Sequence, residues 1–366
     1  MTDVSGIRAG PATAPRNYGD PAGEYEAARQ GAAVVLRPDR VFLRVHGRDP
    51  VRMVQGLVSN DVAAAVEPGG AEGAGGSPGR GAAAPGRAVY ATVLTPKGRM
   101  IADVRVLRRG EELLLETDAG AVEPLTAHLR KFVPPLFARF EDAGGTWTAL
   151  TLFGPRAGGL LADVLDADIP ADATPDTVLA GASGEHDVVI VTTSYGDVPG
   201  FDILCHPERA TPLRQALLDA GARPAGSATL EVLRIEAGLP RWGAELDEGT
   251  IPLEAGLRQR AISETKGCYT GQEVIIRILH RGHVNWLLRG MLLGDMPTPP
   301  AGTELHNADG KRVGRVTSAA WSPRHGQAVA LGYVRREVAP GSTLRLATPV
   351  SGDATVVELP FPSPDT

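Results

Sequence analysis

The C-terminal part of the chain constrains the fold most. From about residue 285 onward it consists of short apolar segments separated by Gly, Pro and Asn, with no helical period between them. These segments are WLLRGMLL, RVGRVTSAAW, AVALGYVR, TLRLA and ATVVEL. Short strands joined by turn residues close into an antiparallel barrel or pack as a sandwich. We therefore predict a C-terminal antiparallel β-barrel domain over residues 285–366.

The preceding part mixes strand and helix patterns. Residues 40–47 (RVFLRVHG) alternate as a strand does, and Asp49 and Pro50 supply an N-cap and a first-turn proline for a helix through Val58. The segments AVYATVL, MIADVRVL and ELLLE form an antiparallel meander, because turn residues separate them. Helical patterns near residues 121–132, 156–164, 208–220 and 227–237 alternate with further strands. The predicted fold class is α+β with mixed and antiparallel sheets.

Two stretches lack any such pattern. Residues 1–23 are rich in Gly, Pro and Ala, and we expect a disordered tail there. Residues 67–87 (EPGGAEGAGGSPGRGAAAPGR) are expected to form a flexible insertion within a folded region that spans residues 24–284.

Composition argues against nucleic-acid-binding, disulfide-rich secreted and membrane-spanning classes of protein. The 366 residues carry a net charge of -6, without the basic excess that nucleic-acid binding uses, so no direct nucleic-acid partner is expected. The two cysteines, Cys205 and Cys268, are too few for a disulfide framework and indicate a reducing, cytoplasmic setting. No apolar run approaches the ~20 residues of a membrane helix, so no membrane partner is expected.

One segment, residues 266–273 (KGCYTGQE), concentrates reactive groups. Gly267 and Gly271 permit tight turns around Cys268, and Lys266 is close enough in sequence to favour its thiolate. Tyr269 adds a stacking surface. A structural cysteine in a glycine-bounded turn remains the alternative on these residues alone. The spacing of Cys268 from the nearby histidines does not fit a structural zinc site, so no metal is predicted.

Three charged residues stand among apolar neighbours. Asp103 lies in the predicted strand MIADVRVL, where an unpaired buried carboxylate would be costly, so it faces either solvent or a ligand. Asp202 in FDILC and Arg234 in LRIEAG either form ion pairs or point outward.

The segment KGCYTGQEVIIRILHRG closely resembles the signature of the YgfZ-type folate-binding proteins, relatives of the glycine-cleavage T-protein (aminomethyltransferase). GLVSNDV, LTPKGRMIADVRV, LRIEAGLPRWGAEL and IPLEAGL resemble further family segments in family order. The resemblance implies two interleaved subdomains enclosing a central cleft for tetrahydrofolate or a derivative, with the C-terminal barrel alongside.

The resemblance also implies site residues. In the T-protein branch, an aspartate that aligns with Asp103 works at the reactive nitrogens of the folate, while an acidic neighbour is replaced here by Ala102. A pterin-binding segment aligns with YGDVPGFD and assigns cofactor contacts to Tyr195 and Asp202. Arg234 matches a family arginine near the pterin. Such a set suits a pterin, which presents a donor-rich edge and a flat π-face.

Two functions follow as hypotheses. The first is a tetrahydrofolate-binding accessory factor for iron–sulfur cluster assembly or repair, in which Cys268, Lys266 and Asp103 do the chemistry and Tyr269 stacks on ligand or partner. Its partners would be iron–sulfur assembly proteins or client iron–sulfur enzymes, including tRNA-modifying ones. The alternative is an aminomethyltransferase that transfers a methylene group to tetrahydrofolate. A folate-independent scaffold remains a third class.

Overall fold

A computed structural model describes residues 14–69, 84–165, 167–170, 172–183 and 186–364. Within these ranges the α-helices are α1 (Pro21–Gln30), α2 (Pro50–Gln55), α3 (Val122–Phe132), α4 (Ala157–Leu165), α5 (Pro207–Asp219), α6 (Ser227–Glu236), α7 (Arg258–Ala261) and α8 (Gln272–Arg281).

The strands of the described ranges run from the N-terminal region to the last residues of the barrel. They are β1 (Ala33–Leu36), β2 (Arg40–His46), β3 (Gly86–Arg87), β4 (Val89–Leu94), β5 (Met100–Arg109), β6 (Glu112–Asp118), β7 (Arg139–Asp142), β8 (Thr148–Phe153), β9 (Thr177–Ser183), β10 (His186–Tyr195), β11 (Val198–Cys205), β12 (Arg223–Pro224), β13 (Trp286–Leu292), β14 (Glu304–His306), β15 (Arg312–Ser322), β16 (Gln327–Arg335), β17 (Thr343–Leu346) and β18 (Gly352–Val357).

These strands form two sheets and a barrel. The five-stranded sheet has the order β4-β5-β6-β2-β7, and the seven-stranded sheet has the order β12-β1-β8-β11-β10-β9-β3. The chain moves back and forth between the two sheets, so their strands are interleaved in sequence. The last six strands close into a barrel of antiparallel pairs, in the order β13-β16-β15-β14-β17-β18. The predicted meander is confirmed, because β4, β5 and β6 pair antiparallel in sequence order.

The two sheets stack face to face through an apolar layer. Leu107 of β5 and Leu204 of β11 belong to the buried cluster between them. Strand side chains alternate between faces, so Asp103 and Arg105 share the inner face of β5 with Leu107, and Asp202 shares the inner face of β11 with Leu204. The inner faces are therefore apolar at one end and charged at the other. The charged end is where the candidate site lies.

Helices and barrel cover the outer faces. Helices α4 and α5 pack on the seven-stranded sheet, and the largest buried cluster joins the five-stranded sheet, α3 and the barrel strands β13 and β16. Glu245 is buried and holds the barrel in place, because its carboxylate accepts hydrogen bonds from Thr317 (2.7 Å) and Ser318 (2.7 Å) of β15 and from Arg234 (2.9 Å) of α6. This carboxylate fixes one wall of the site.

Two predicted boundaries are wrong. The disordered tail predicted through residue 23 ends earlier, because α1 begins at Pro21, with Asp20 as its N-cap. The carbonyls of Pro15 and Arg16 accept the free backbone N–H groups at the start of α6, which orders this segment. Residues 1–13 of the predicted tail lie outside the described residues.

Helix α2 ends at Gln55 instead of Val58, because the chain turns at Gly56. The predicted insertion is closed at its base, where Val66 and Arg87 exchange two backbone hydrogen bonds. Its residues 70–83 lie outside the described residues.

Candidate functional site

A cavity of about 920 Å³ opens where the charged ends of the two sheets meet α6 and the barrel. Specific small-molecule sites have volumes of roughly 300 to 1,000 Å³, so this cavity has the size of a ligand pocket. Four of the predicted site residues line it together: Asp103, Tyr195, Asp202 and Arg234.

Asp103 is buried on β5, and its two carboxylate oxygens differ. Oδ2 accepts a hydrogen bond from the Tyr90 hydroxyl at 2.9 Å. Oδ1 is also buried, and no other group of the described chain forms a hydrogen bond to it. A buried carboxylate oxygen without a donor is costly, so this atom has the capacity to accept one further hydrogen bond. Of the two interpretations of Asp103 from the sequence, the solvent-facing one does not fit this buried side chain, and the ligand-facing one stays a prediction.

Arg105, two residues further along β5, joins the two sheets. Its Nε donates to Glu116 of β6 (2.7 Å), directly opposite in register, and its Nη1 donates to Asp202 of β11 (2.8 Å). Arg40 also donates to Glu116, at 2.8 Å. Burial alone would raise the pKa of Glu116, but Arg105 and Arg40 lower it to about 2. The floor of the cavity is thus a paired, permanently charged network.

Asp202 already has two donors within the protein. Thr151 of β8 donates to Oδ1 at 2.6 Å, and Arg105 donates to Oδ2. Each carboxylate oxygen has a second lone pair, so a ligand donor can still be accepted beside them. Tyr195 ends β10, and its ring meets that of Phe153 edge-on at 6.1 Å. Burial raises the pKa of the Tyr195 phenol to about 12, so it is a neutral donor at the cavity wall.

Arg234 lines the cavity, but its donors are committed. Nε and Nη2 bind the Glu231 carboxylate, Nη1 donates to Leu239 O (3.1 Å) and Glu245 (2.9 Å), and Nη2 also donates to Ser318. All five N–H donors of the guanidinium therefore have partners. Arg234 joins α6 to the barrel, and a ligand would have to replace one of these contacts to bind it.

The other three predicted residues are not among those that line the cavity. Cys268 is exposed on the loop before α8, while Tyr269 is buried in the cluster that joins the five-stranded sheet to the barrel. Burial raises the pKa of the Tyr269 phenol to about 12. The ammonium of Lys266 donates to the carbonyls of Gln55, Val58 and Asn60 at 2.6, 2.7 and 3.0 Å. The ammonium thus contacts the backbone at and after the end of α2, and it lies 5.1 Å from the centre of the Tyr269 ring.

The two glycines of KGCYTGQE differ in what they permit. Gly271 has φ of 84°, and a Cβ there would lie 2.4 Å from the carbonyl oxygen of Thr95. Gly267 has open space around it. We predict that Gly271→Ala lowers the free energy of unfolding by more than about 2 kcal/mol, from left-handed backbone strain and this clash. Gly267→Ala is the matched control, with an expected change below about 0.5 kcal/mol. Urea denaturation of both variants measures the difference, and equal values would contradict it.

Sequence reasoning overlooked Tyr90, Arg105 and Glu116. The period of two in strand MIADVRVL already places Arg105 on the same face as Asp103. Pairing of β5 with β6 then sets Glu116 opposite Arg105. The sequence carried a signal for Arg105, whereas the partners from β4 and β6 depend on a strand register that only the structure fixes.

Among the described residues, no cluster of three or more His, Cys, Asp or Glu is arranged to hold a metal ion. A separate finding concerns the helices: within the same ranges, none is both long and apolar enough to cross a membrane.

The fold and the cavity define a two-sheet α+β protein with an appended barrel and a cavity of ligand size. The family model for the GCVT N-terminal domain matches residues 79–266, and that for the glycine cleavage T-protein C-terminal barrel domain matches residues 288–362. The chain belongs to the glycine cleavage T-protein family. The predicted fold class and the T-protein resemblance are thereby confirmed, while the narrower YgfZ-type assignment stays a prediction.

Individual relatives agree with this assignment. The aminomethyltransferase of Rubrobacter xylanophilus is 31% identical over 352 residues, which are 95% of this chain and 87% of that protein. The aminomethyltransferase of Saccharopolyspora erythraea is 29% identical over 362 residues, covering 95% and 91%. The crystal structure of the glycine cleavage system aminomethyltransferase T from Bartonella henselae has a TM-score of 0.80 at 22% identity, covering 95% of this chain and 91% of that one. The last comparison shows the shared fold.

Proposed function

We propose that this chain binds tetrahydrofolate in the cavity and transfers a one-carbon unit to it, as an aminomethyltransferase. The observation that carries the proposal is the Asp103 carboxylate, which belongs to a residue that lines the cavity and whose buried Oδ1 accepts no hydrogen bond within the described chain. A reduced pterin offers N–H donors to this oxygen, and the Tyr195 ring offers a flat face for it. The name shared by the relatives supports this reaction over others for the same cavity.

The reaction assigns Asp103 a defined task. An aminomethyl group enters on the sulfur of a lipoyl arm, and its carbon forms bonds to the two reactive nitrogens of tetrahydrofolate. Its bonds to sulfur and to the amino nitrogen break, so a thiol and ammonia leave, and the two protons released by the folate nitrogens balance them. A carboxylate held by Tyr90 beside these nitrogens would orient them and accept a proton in transit. Arg105 and Glu116 keep the floor of the cavity rigid.

A second candidate is the iron–sulfur accessory factor, and one observation favours it. The thiol of Cys268 is exposed, so a partner protein or a sulfur or iron donor could reach it without entering the cavity. In this function tetrahydrofolate binds in the same cavity while the thiol acts at the surface. The separation of thiol and cavity makes the two functions testable by independent variants.

The experiment pairs two variants with two readouts. Purified protein is supplied with tetrahydrofolate and an aminomethylated lipoyl carrier, and ammonia and methylenetetrahydrofolate are measured. The same variants are tested for restoring iron–sulfur enzyme activities in a strain that lacks the gene. The proposed function predicts transfer by the wild type and by Cys268→Ser, and its loss in Asp103→Asn. No transfer by the wild type, with iron–sulfur activities restored by the wild type but not by Cys268→Ser, would select the second candidate.

A further inference from the structure

The loop that carries Cys268 holds another stretch of backbone in place. We name residues 263–270 the cysteine loop and residues 55–60 the wall segment. The cysteine loop donates five hydrogen bonds to carbonyls of the wall segment: three come from the Lys266 ammonium, one from Ser263 N (3.0 Å, to Ser59 O) and one from Thr270 N (3.1 Å, to Gly56 O). Lys266 therefore supplies three of the five hydrogen bonds between the two segments.

On its other side, the wall segment is hydrogen-bonded to strand β4, whose Tyr90 lines the cavity. The Asn60 side-chain amide donates to Tyr90 O at 2.9 Å and to Arg260 O at 3.1 Å. Ser59 N donates to Thr92 O at 2.9 Å, and the Ser59 and Thr92 hydroxyls are 2.8 Å apart. The wall segment thus lies between the cysteine loop and β4 and is hydrogen-bonded to both.

Tyr90 and Arg260 face the cavity at this point. The Arg260 guanidinium lies 4.3 Å from the centre of the Tyr90 ring, and the Tyr90 hydroxyl donates to Oδ2 of Asp103. The Asn60 amide donates to the backbone carbonyls of both residues. A shift of Asn60 would therefore move the Tyr90 ring and hydroxyl together with the Arg260 guanidinium.

We propose that Lys266 and Asn60 are positioning residues for the cavity: Lys266 fixes the wall segment from outside, and Asn60 passes that constraint to Tyr90, Arg260 and Asp103. The inference rests on the proposed binding of tetrahydrofolate in the cavity. It gives the lysine of KGCYTGQE a task different from the thiolate activation predicted from sequence, since the ammonium donates to three backbone carbonyls.

The positively charged ammonium fits this task because three backbone carbonyl oxygens point at it. Gln55 O is one of the carbonyls left free at the end of α2, and Val58 O and Asn60 O converge on the same cation from the turns that follow. Three carbonyl dipoles aimed at one point repel each other without a cation between them. Methionine, which is similar in length and uncharged, would leave the three carbonyls without a donor.

The test measures tetrahydrofolate binding by calorimetry in wild type, Lys266→Met and Lys131→Met. Lys131 is an exposed residue of α3 and serves as the matched control. We expect Lys266→Met to bind about tenfold more weakly, and Lys131→Met as the wild type does, because residues that share one hydrogen-bond network commonly couple by an amount of this size. Asn60→Leu, which removes the side-chain amide that donates to Tyr90 O and Arg260 O, should weaken binding by a similar factor. It tests the inference by itself if Lys266→Met fails to fold.

A chemical rescue distinguishes positioning from general destabilisation. In Lys266→Ala, added ethylammonium can occupy the space of the missing ammonium and donate to the three carbonyls, so tetrahydrofolate affinity should recover. Tetramethylammonium at the same concentration has no N–H donor and should not restore it. Folded Lys266→Met and Asn60→Leu variants that bind as tightly as the wild type, or equal rescue by both cations, would overturn the inference. A wild type that binds no tetrahydrofolate would instead overturn the proposed function.

Discussion

Arg105→Met should lower the free energy of unfolding by about 3–5 kcal/mol, because it leaves two buried carboxylates without their shared cation. Arg105 is 5% exposed, and it connects Glu116 of one sheet to Asp202 of the other. Arg44→Met is a matched control on strand β2 of the same sheet. Its side chain is 45% exposed and also pairs with two carboxylates, Glu112 and Glu141, so the same substitution there should cost about 1 kcal/mol or less. Urea denaturation at neutral pH gives both values, and similar losses would show that the inter-sheet network contributes little.

The same network predicts the behaviour in acid. Because the pKa of Glu116 is lowered from 4.5 to about 2, its contribution to stability is present above pH 4.5 and is lost as the pH falls to about 2. In Arg105→Met the pKa of Glu116 should move back toward its ordinary value. The fall in unfolding free energy between pH 4.5 and 2 should then be shallower than in the wild type, and an unchanged slope would contradict the assigned pairing.

Asp103→Asn should reduce the rate of one-carbon transfer by about 10²–10⁴-fold, the usual contribution of a positioned proton-transfer group. The amide keeps an oxygen for the Tyr90 hydroxyl, so the fold should be preserved, but it has no negative charge and no basic oxygen at the Oδ1 position. Single-turnover rates of methylenetetrahydrofolate formation measure the effect. Asp187→Asn is the control, since Asp187 is an exposed residue of β10 outside the cavity, and full activity in Asp103→Asn would remove Asp103 from the chemistry.

The sequence predicted the architecture well because period and turn chemistry are local signals. The barrel, the β4-β5-β6 meander and the N-cap at Asp49 were all readable from short stretches. The start of α1 was missed because the ordering of residues 14–20 depends on α6, which is some 200 residues distant in the chain. Long-range hydrogen bonds of this kind leave no local pattern.

The candidate site was predicted in part. Alignment of motifs brought Asp103, Tyr195, Asp202 and Arg234 to one cavity, and the structure shows that they line it together. It could not show that Arg234 has no free donor, since its partners come from other parts of the chain. Adjacency in KGCYTGQE likewise suggested that Lys266 serves the neighbouring thiol. The long lysine side chain instead reaches a distant backbone, and proximity in sequence is a weak guide for such a flexible group.

Calorimetric titration of the wild-type chain with tetrahydrofolate tests the central claim most directly. The account predicts one saturable site per chain whose affinity falls in Asp103→Asn and is unchanged in Asp187→Asn. Absence of binding by the wild type, or binding that Asp103→Asn leaves unaltered, would contradict the assignment of this cavity as a folate site centred on Asp103.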